Sequence, residues 1–151
     1  MIDLLIEKLY EITKKPYQKF FKKGTPWNIT PAELIQYNQE TLGFHLGCFL
    51  LKYNFQMQPK LEDHDLIHVL TNTSIAVTDE IAMQFFLFGN GKKSAYLFMV
   101  IIIGTAFYPT QIKHFIHNFH RGKSAHTFHN LDFQKMLHLP LKTIQTTFNI
   151  Q

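Results

Sequence analysis

The chain has 151 residues, a formal net charge of +4 and 46% hydrophobic residues, enough for one domain with a core that needs no disulfide framework. Its single cysteine, Cys48, excludes an internal disulfide, and in the apolar run LGCFLLKY it reads as a buried small hydrophobe of a reducing compartment. Fourteen lysines stand against one arginine, Arg121, which argues against nucleic-acid binding, where arginine forks dominate.

The N-terminal run MIDLLIEKLYEI places Ile2, Leu5, Ile6, Leu9 and Ile12 at helical spacing. Asp3 and Glu7 occupy positions where a secretory signal would be positive, so a cytoplasmic chain is expected. Pro16 breaks this run, and KKPYQKFFKK (Lys14–Lys23) mixes aromatics with positive charge. That cluster reads as a solvated amphipathic helix, with anionic headgroups as the alternative contact. TPAE at Thr30–Glu33 is a capping box with proline at the first helical position, predicting a helix to about Gln39.

TLGFHLGCFLLKYN predicts a second, mostly apolar helix. Gly43 and Gly47 lie one turn apart on it, so another helix could approach its backbone closely. A helix over about Leu61–Leu70 carries HDLIH, and TNTS (Thr71–Ser74) interrupts it with turn and cap formers. Further helices are predicted over about Ile75–Phe88, over Ala95–Phe107, and from Pro109 to near Gly122, with a turn at GNGKK (Gly89–Lys93). Two short helices follow, near Phe133–Leu139 and after Pro140.

Ala95–Phe107 is the most apolar stretch, but thirteen helical residues rise only roughly 20 Å, short of the ~30 Å hydrocarbon core. It is expected to be a buried core helix or, failing that, an interfacial segment. No β-alternation, repeat or linker is present. The chain therefore reads as an all-α single domain over 1–151, a bundle of roughly six to eight helices.

HDLIH carries the chemistry. Residues i and i+4 share a helical face, so His64 and His68 present two imidazoles to one point, and Asp65 can join them from three residues before His68. Two histidines and a carboxylate suit an open zinc site and also the facial arrangement of non-haem Fe(II). Glu80 would add a fourth donor if Thr71–Ser74 turns the chain back. A solvated polar face or hydrogen-bonded core histidines would give the same spacing. So would a shortened HExxH protease motif, but Asp65 is one methylene short of that general base. An HD-type metal phosphohydrolase would need an upstream histidine and a distant aspartate, nominally His45 and Asp132. NLDFQK around Asp132 looks more like a helix cap, and phosphate-binding arginines or glycines are missing. His114, His117, His120, His126 and His129 read as exposed or stacked, with incidental metal binding by His114 and His117 as the alternative.

HDLIHVLTNTSIAVTDE fits H-D-x-x-H, eleven residues, then glutamate, and so resembles the signature of the coenzyme Q biosynthesis protein four family. TLGFHLGCFLLKY resembles that family's T-L-G helix, and FHRGKSAHTFHNLDFQKMLHLPLKTIQTTFNI resembles its C-terminal region, a likeness spanning Thr41–Ile150. Asp79 stands where the pattern has a glycine before the glutamate, Asn72 replaces another glycine, and the N-terminal region is abbreviated.

The resemblance implies an all-α protein holding a divalent metal, zinc first and Fe(II) second, on His64, Asp65, His68 and Glu80. It implies a place in ubiquinone or related prenyl-quinone biosynthesis, with peripheral contact on the inner face of a membrane. Two roles follow. One is C1 oxidative decarboxylation of a prenylated hydroxybenzoate. The other is a non-catalytic scaffold binding a quinone precursor or other isoprenoid lipid for partner biosynthetic enzymes. The glycine helix and Ala95–Phe107 would then line a cleft for an isoprenoid tail, plain core packing being the alternative. A homodimer is compatible with the sequence.

Overall fold

The computed structural model describes Leu4 and residues 27–57 and 62–150. The helix expected over Ile2–Ile12 and the Lys14–Lys23 cluster lie outside the described residues. Seven α-helices are described: α1 (Pro31–Leu34), α2 (Leu42–Lys52), α3 (Glu62–Thr71), α4 (Val77–Gly89), α5 (Ala95–Phe107), α6 (Ile112–Ser124) and α7 (Leu141–Thr147). Single 3-10 turns at Pro109–Gln111 and Phe133–Met136 complete them. Among the described residues the only β pairing is an isolated bridge, Thr41 with Pro140, so the all-α class is as expected.

The chain forms two compact units. The described residues of one are 27–57, 62–72 and 131–150, and those of the other are Leu4 and 73–130. In the first unit, the capping box at Thr30 forms as predicted: its hydroxyl accepts from the Glu33 amide while Glu33 reaches back to the Thr30 amide at 2.7 Å. A hydrogen bond donated by the Thr30 hydroxyl, and then that from the Thr30 amide, hold the Glu33 carboxyl below the ordinary carboxylate range. The helix is shorter than expected, however, ending at Leu34 rather than near Gln39.

The TLG sequence starts α2 for three separate reasons. Thr41 is the N-cap, its side chain accepting from the Phe44 amide, and Leu42 is fully buried. The otherwise orphaned amides of Leu42 and Gly43 donate to the carbonyls of Leu139 and Leu137 at 2.9 and 2.8 Å. A Cβ on Gly43 would lie 2.9 Å from that Leu137 oxygen, and one on Gly47 would lie 2.9 Å from Leu34 Cβ. Both glycines thus admit close neighbours as predicted; at Gly47 the neighbour is the end of α1.

The buried face of α2 is Leu42, Gly43, Leu46, Gly47 and Leu50. Cys48 lies off that face and is exposed, correcting the expectation of a buried thiol. An apolar context in sequence did not place the residue on the apolar side of the helix.

In the second unit, α4 and α6 meet at two glycines. A Cβ on Gly89 would fall 2.1 Å from the Phe119 carbonyl oxygen, and one on Gly122 would fall 1.9 Å from that of Phe86. Gly89 is expected in a turn and Gly122 near the end of its helix; Gly89 ends α4, Gly122 lies within α6 two residues before its end, and both serve the crossing. Ile81, Ala82 and Phe115 form the adjoining core, with Phe85 stacked on Phe115 at 5.2 Å. Asn90, 3% exposed, fastens the chain after α6: its Nδ2 donates to the Gly122 and His126 carbonyls, and its Oδ1 accepts from the Phe128 and His129 amides.

The expectation of a buried core helix over Ala95–Phe107 is corrected. Only Leu97 and Gly104 of α5 are buried, Gly104 against Ile81, while Phe98, Ile102 and Phe107 are 39%, 68% and 39% exposed. Its composition is apolar on every face, the usual mark of burial, yet most of its side chains are only half-buried or exposed.

Gly122→Ala is expected to cost about 3 kcal/mol or more by overpacking against backbone. Cys48→Ala should stay within about 0.5 kcal/mol of the parent, as at exposed sites generally. Urea unfolding of the two variants measures both.

Candidate metal centre

HDLIH lies on α3 as predicted, and three contacts hold that helix. Leu66, Ile67 and Leu70 are buried, the Thr71 hydroxyl donates to the Ile67 carbonyl at 2.7 Å, and Gln145 of α7 donates to the Leu70 carbonyl at 3.0 Å. Immediately after α3, Asn72 has φ +51°. This is the left-handed conformation that glycine adopts freely and asparagine tolerates best among side-chain-bearing residues. Asn72 in place of the pattern's glycine thus keeps the turn.

His64 and His68 direct their Nε2 atoms at each other across 3.3 Å, with their rings edge to face. Two nitrogens bonded to one tetrahedral zinc at about 2.0–2.1 Å would lie about 3.3–3.4 Å apart, so the pair already has a ligand spacing. His68 is 2% exposed, and His64 and Glu80 are half-buried. His64, His68 and Glu80 form a group that could hold a metal ion: one ligand atom from each lies within 4.8 Å of the others. Borderline nitrogen donors plus one carboxylate oxygen are the donor set for zinc or Fe(II), not for calcium or magnesium.

Asp65 is half-buried on α3 and stands outside this three-residue group. Its Cα is rotated about 100° from that of His64, whereas His68 returns to within about 40°. Glu80 stands in the first turn of α4, beside Asp79, where the helix dipole favours carboxylates. Asp79 is engaged otherwise: it bonds His114 Nε2 at 3.0 Å and accepts from the Ser74 hydroxyl. Neighbouring carboxylates on one turn thus diverge, Glu80 joining the histidines and Asp79 joining α6.

The residues that would complete a phosphohydrolase are not brought in. His45 is exposed on α2, and Asp132, also exposed, pairs with Lys135 at 2.8 Å. The bond from Lys135 holds the Asp132 carboxyl below its ordinary range. Asp132 precedes the Phe133–Met136 turn without a side-chain cap bond. His117 and His120 are exposed, and His129 bonds the Asn90 carbonyl; the metal-capable groups found among the described residues include none of the later histidines. Sequence reasoning missed Phe49, whose ring stacks on the His68 imidazole at 5.4 Å; its aromatic spacing to Tyr53 was the available signal.

Comparison with known proteins gives two results. The family described as coenzyme Q (ubiquinone) biosynthesis protein Coq4 matches residues 50–151. A crystal structure from Nostoc punctiforme PCC 73102, of a protein provisionally assigned to ubiquinone biosynthesis, superposes with a TM-score of 0.72 at 15% identity. That match covers 99% of this chain and 81% of the other, and at this identity it speaks to the fold. No curated protein matches by sequence.

Replacing Glu80 by glutamine should weaken zinc binding by at least about tenfold, while Asp79→Asn should leave it within about twofold. Competition with a chromophoric chelator reads both affinities.

Proposed function

Since this chain belongs to the coenzyme Q (ubiquinone) biosynthesis protein Coq4 family, we propose that it acts in ubiquinone or related prenyl-quinone biosynthesis as a metal-binding protein. The observation that carries the reading is the His64, His68 and Glu80 group, with its two Nε2 atoms at a tetrahedral ligand spacing. Asp65 is the fourth donor that the motif supplies. Zinc is the metal favoured by this spacing, with Fe(II) as the alternative.

The substrate proposed is a prenylated hydroxybenzoate, and the reaction is replacement of its C1 carboxyl by hydroxyl. A bound divalent cation would supply Lewis acidity toward the carboxylate. The carboxyl carbon would leave as CO2, dioxygen would supply the new hydroxyl oxygen, and an external two-electron reductant with two protons would carry its second oxygen atom to water. His68, buried and stacked, holds its nitrogen in one direction, while half-buried His64 and Glu80 leave that side reachable by a head group.

A second reading, a scaffold that binds lipid and presents precursor to partner enzymes, is favoured by α5. Its exposed Phe98 and Ile102 lie one turn apart on one apolar face. No aspartate or glutamate occurs between Glu80 and Asp132, whereas Lys92, Lys93, Lys113, Arg121 and Lys123 do. An apolar stripe in a wholly cationic stretch suits a helix lying in the plane of an anionic bilayer surface. Among the described residues no single helix is long and apolar enough to cross a membrane.

Purified protein should contain about one divalent metal per chain, lost in His64→Ala and His68→Ala; elemental analysis after reconstitution measures this, and an empty wild type would refute the metal reading. Turnover of a carboxylated precursor by the metal-loaded protein alone separates enzyme from scaffold. Ile102→Glu should reduce co-flotation with anionic vesicles at least about fivefold without lowering the melting temperature.

A further inference from the structure

We infer that Phe49 is a positioning residue that aims the His68 imidazole at the metal, an inference that rests on the metal-binding reading above. An imidazole is held to its backbone by a soft terminal torsion that on its own sets no sharp ring direction. A ligand that must stop rotating on binding loses affinity unless the protein has already fixed it. Metal-binding histidines are commonly fixed by a hydrogen bond to the second ring nitrogen; here a ring stack covers an imidazole face as well.

The Phe49 ring lies on that face at 5.4 Å between centroids and 18° between planes. It is held from behind. Tyr53 meets it edge-on at 5.0 Å, Phe55 stands at 6.5 Å, and Tyr53 and Phe55 touch each other at 5.8 Å. The backbone explains the cluster.

Helix α2 ends in a Schellman motif, with Asn54 at φ +54°. The Phe55 amide donates to the Leu50 carbonyl at 2.8 Å and the Asn54 amide to that of Leu51 at 3.1 Å. That reversal folds Phe55 back beside Phe49, the apolar contact such motifs favour. Left-handed Asn54 sets Phe55, the pair Tyr53 and Phe55 brace Phe49, and Phe49 fixes the plane of His68. With that plane fixed, Nε2 stays on the point it shares with His64 Nε2. Phe49 precedes residues 50–151, the span that matches the family.

The test uses the full chain, zinc affinity by chelator competition, and the visible absorption of the Co2+-substituted protein. Phe49→Leu keeps an apolar side chain but removes the flat face. It should bind zinc about tenfold more weakly and show shifted Co2+ bands, and Phe49→Tyr should restore both. Phe55→Leu, which loosens the brace, should show a smaller loss in the same direction and decides the matter if Phe49→Leu fails to fold. A wild type that binds both metals, with Phe49→Leu and Phe55→Leu within about twofold of it and spectrally unchanged, would overturn the positioning role alone. A wild type that binds neither metal would overturn that role together with the metal reading.

Discussion

Two imidazoles whose Nε2 atoms face each other at 3.3 Å are compatible only when a proton or a cation lies between them. One neutral ring can donate to the other, or a metal can accept both lone pairs; two protonated rings would repel. Everything around α3 maintains this confrontation. The helix supplies the one-turn spacing, buried Leu66, Ile67 and Leu70 fix its rotation, and Gln145 of α7 holds its C-terminal carbonyl. The Phe49 ring removes the remaining torsional freedom of His68. The result is donor geometry that exists ahead of the ligand, the condition under which binding energy is not spent on ordering the site.

The start of α4 is fixed by a different means. Two glycines, Gly89 and Gly122, let α4 and α6 approach until each lies against the other's carbonyl. No side chain could be added there without moving backbone, so the crossing sets the position of α4 rather than merely filling space. Its first turn then orients two adjacent carboxylates differently. Asp79 is held by Ser74 and His114, while Glu80 belongs with the two histidines. An acid in place of the pattern's glycine at 79 is absorbed by hydrogen bonds to His114 and Ser74, with no change needed in the donor set.

Membership in the Coq4 family supports a role in ubiquinone biosynthesis, two histidines and a glutamate form a group that could hold a metal, and the ligand proposed for them is a quinone precursor. Such precursors join a polar aromatic head to an isoprenoid tail, and the chemistry of the chain has the same two characters. Polar donors on α3 and α4 suit the head. The apolar face of α5, in a stretch free of carboxylates, suits the lipid phase in which the tail dissolves.

Much of this was legible in sequence. Caps, apolar runs and turn formers located the described α-helices, Thr30 marked a cap that forms, and the HDLIH register put two imidazoles on one face. These are local properties, because capping bonds and the 3.6-residue repeat act within a single turn. Resemblance added Glu80 and the family.

Burial was not legible. Cys48 and α5 have apolar neighbours in the chain, but exposure depends on which side another element covers. Nor was the engagement of Asp79 with Ser74 and His114, beside a Glu80 that groups with the histidines, readable, since adjacent carboxylates are chemically alike until the fold sets their directions. The same holds for Gly89 and Gly122, read as a turn and a helix end and used as a helix crossing, and for Phe49. The order of residues alone determined which groups were available and their spacing along each helix. Tertiary structure decided which of them meet, because contacts between elements depend on distances that no local backbone preference encodes.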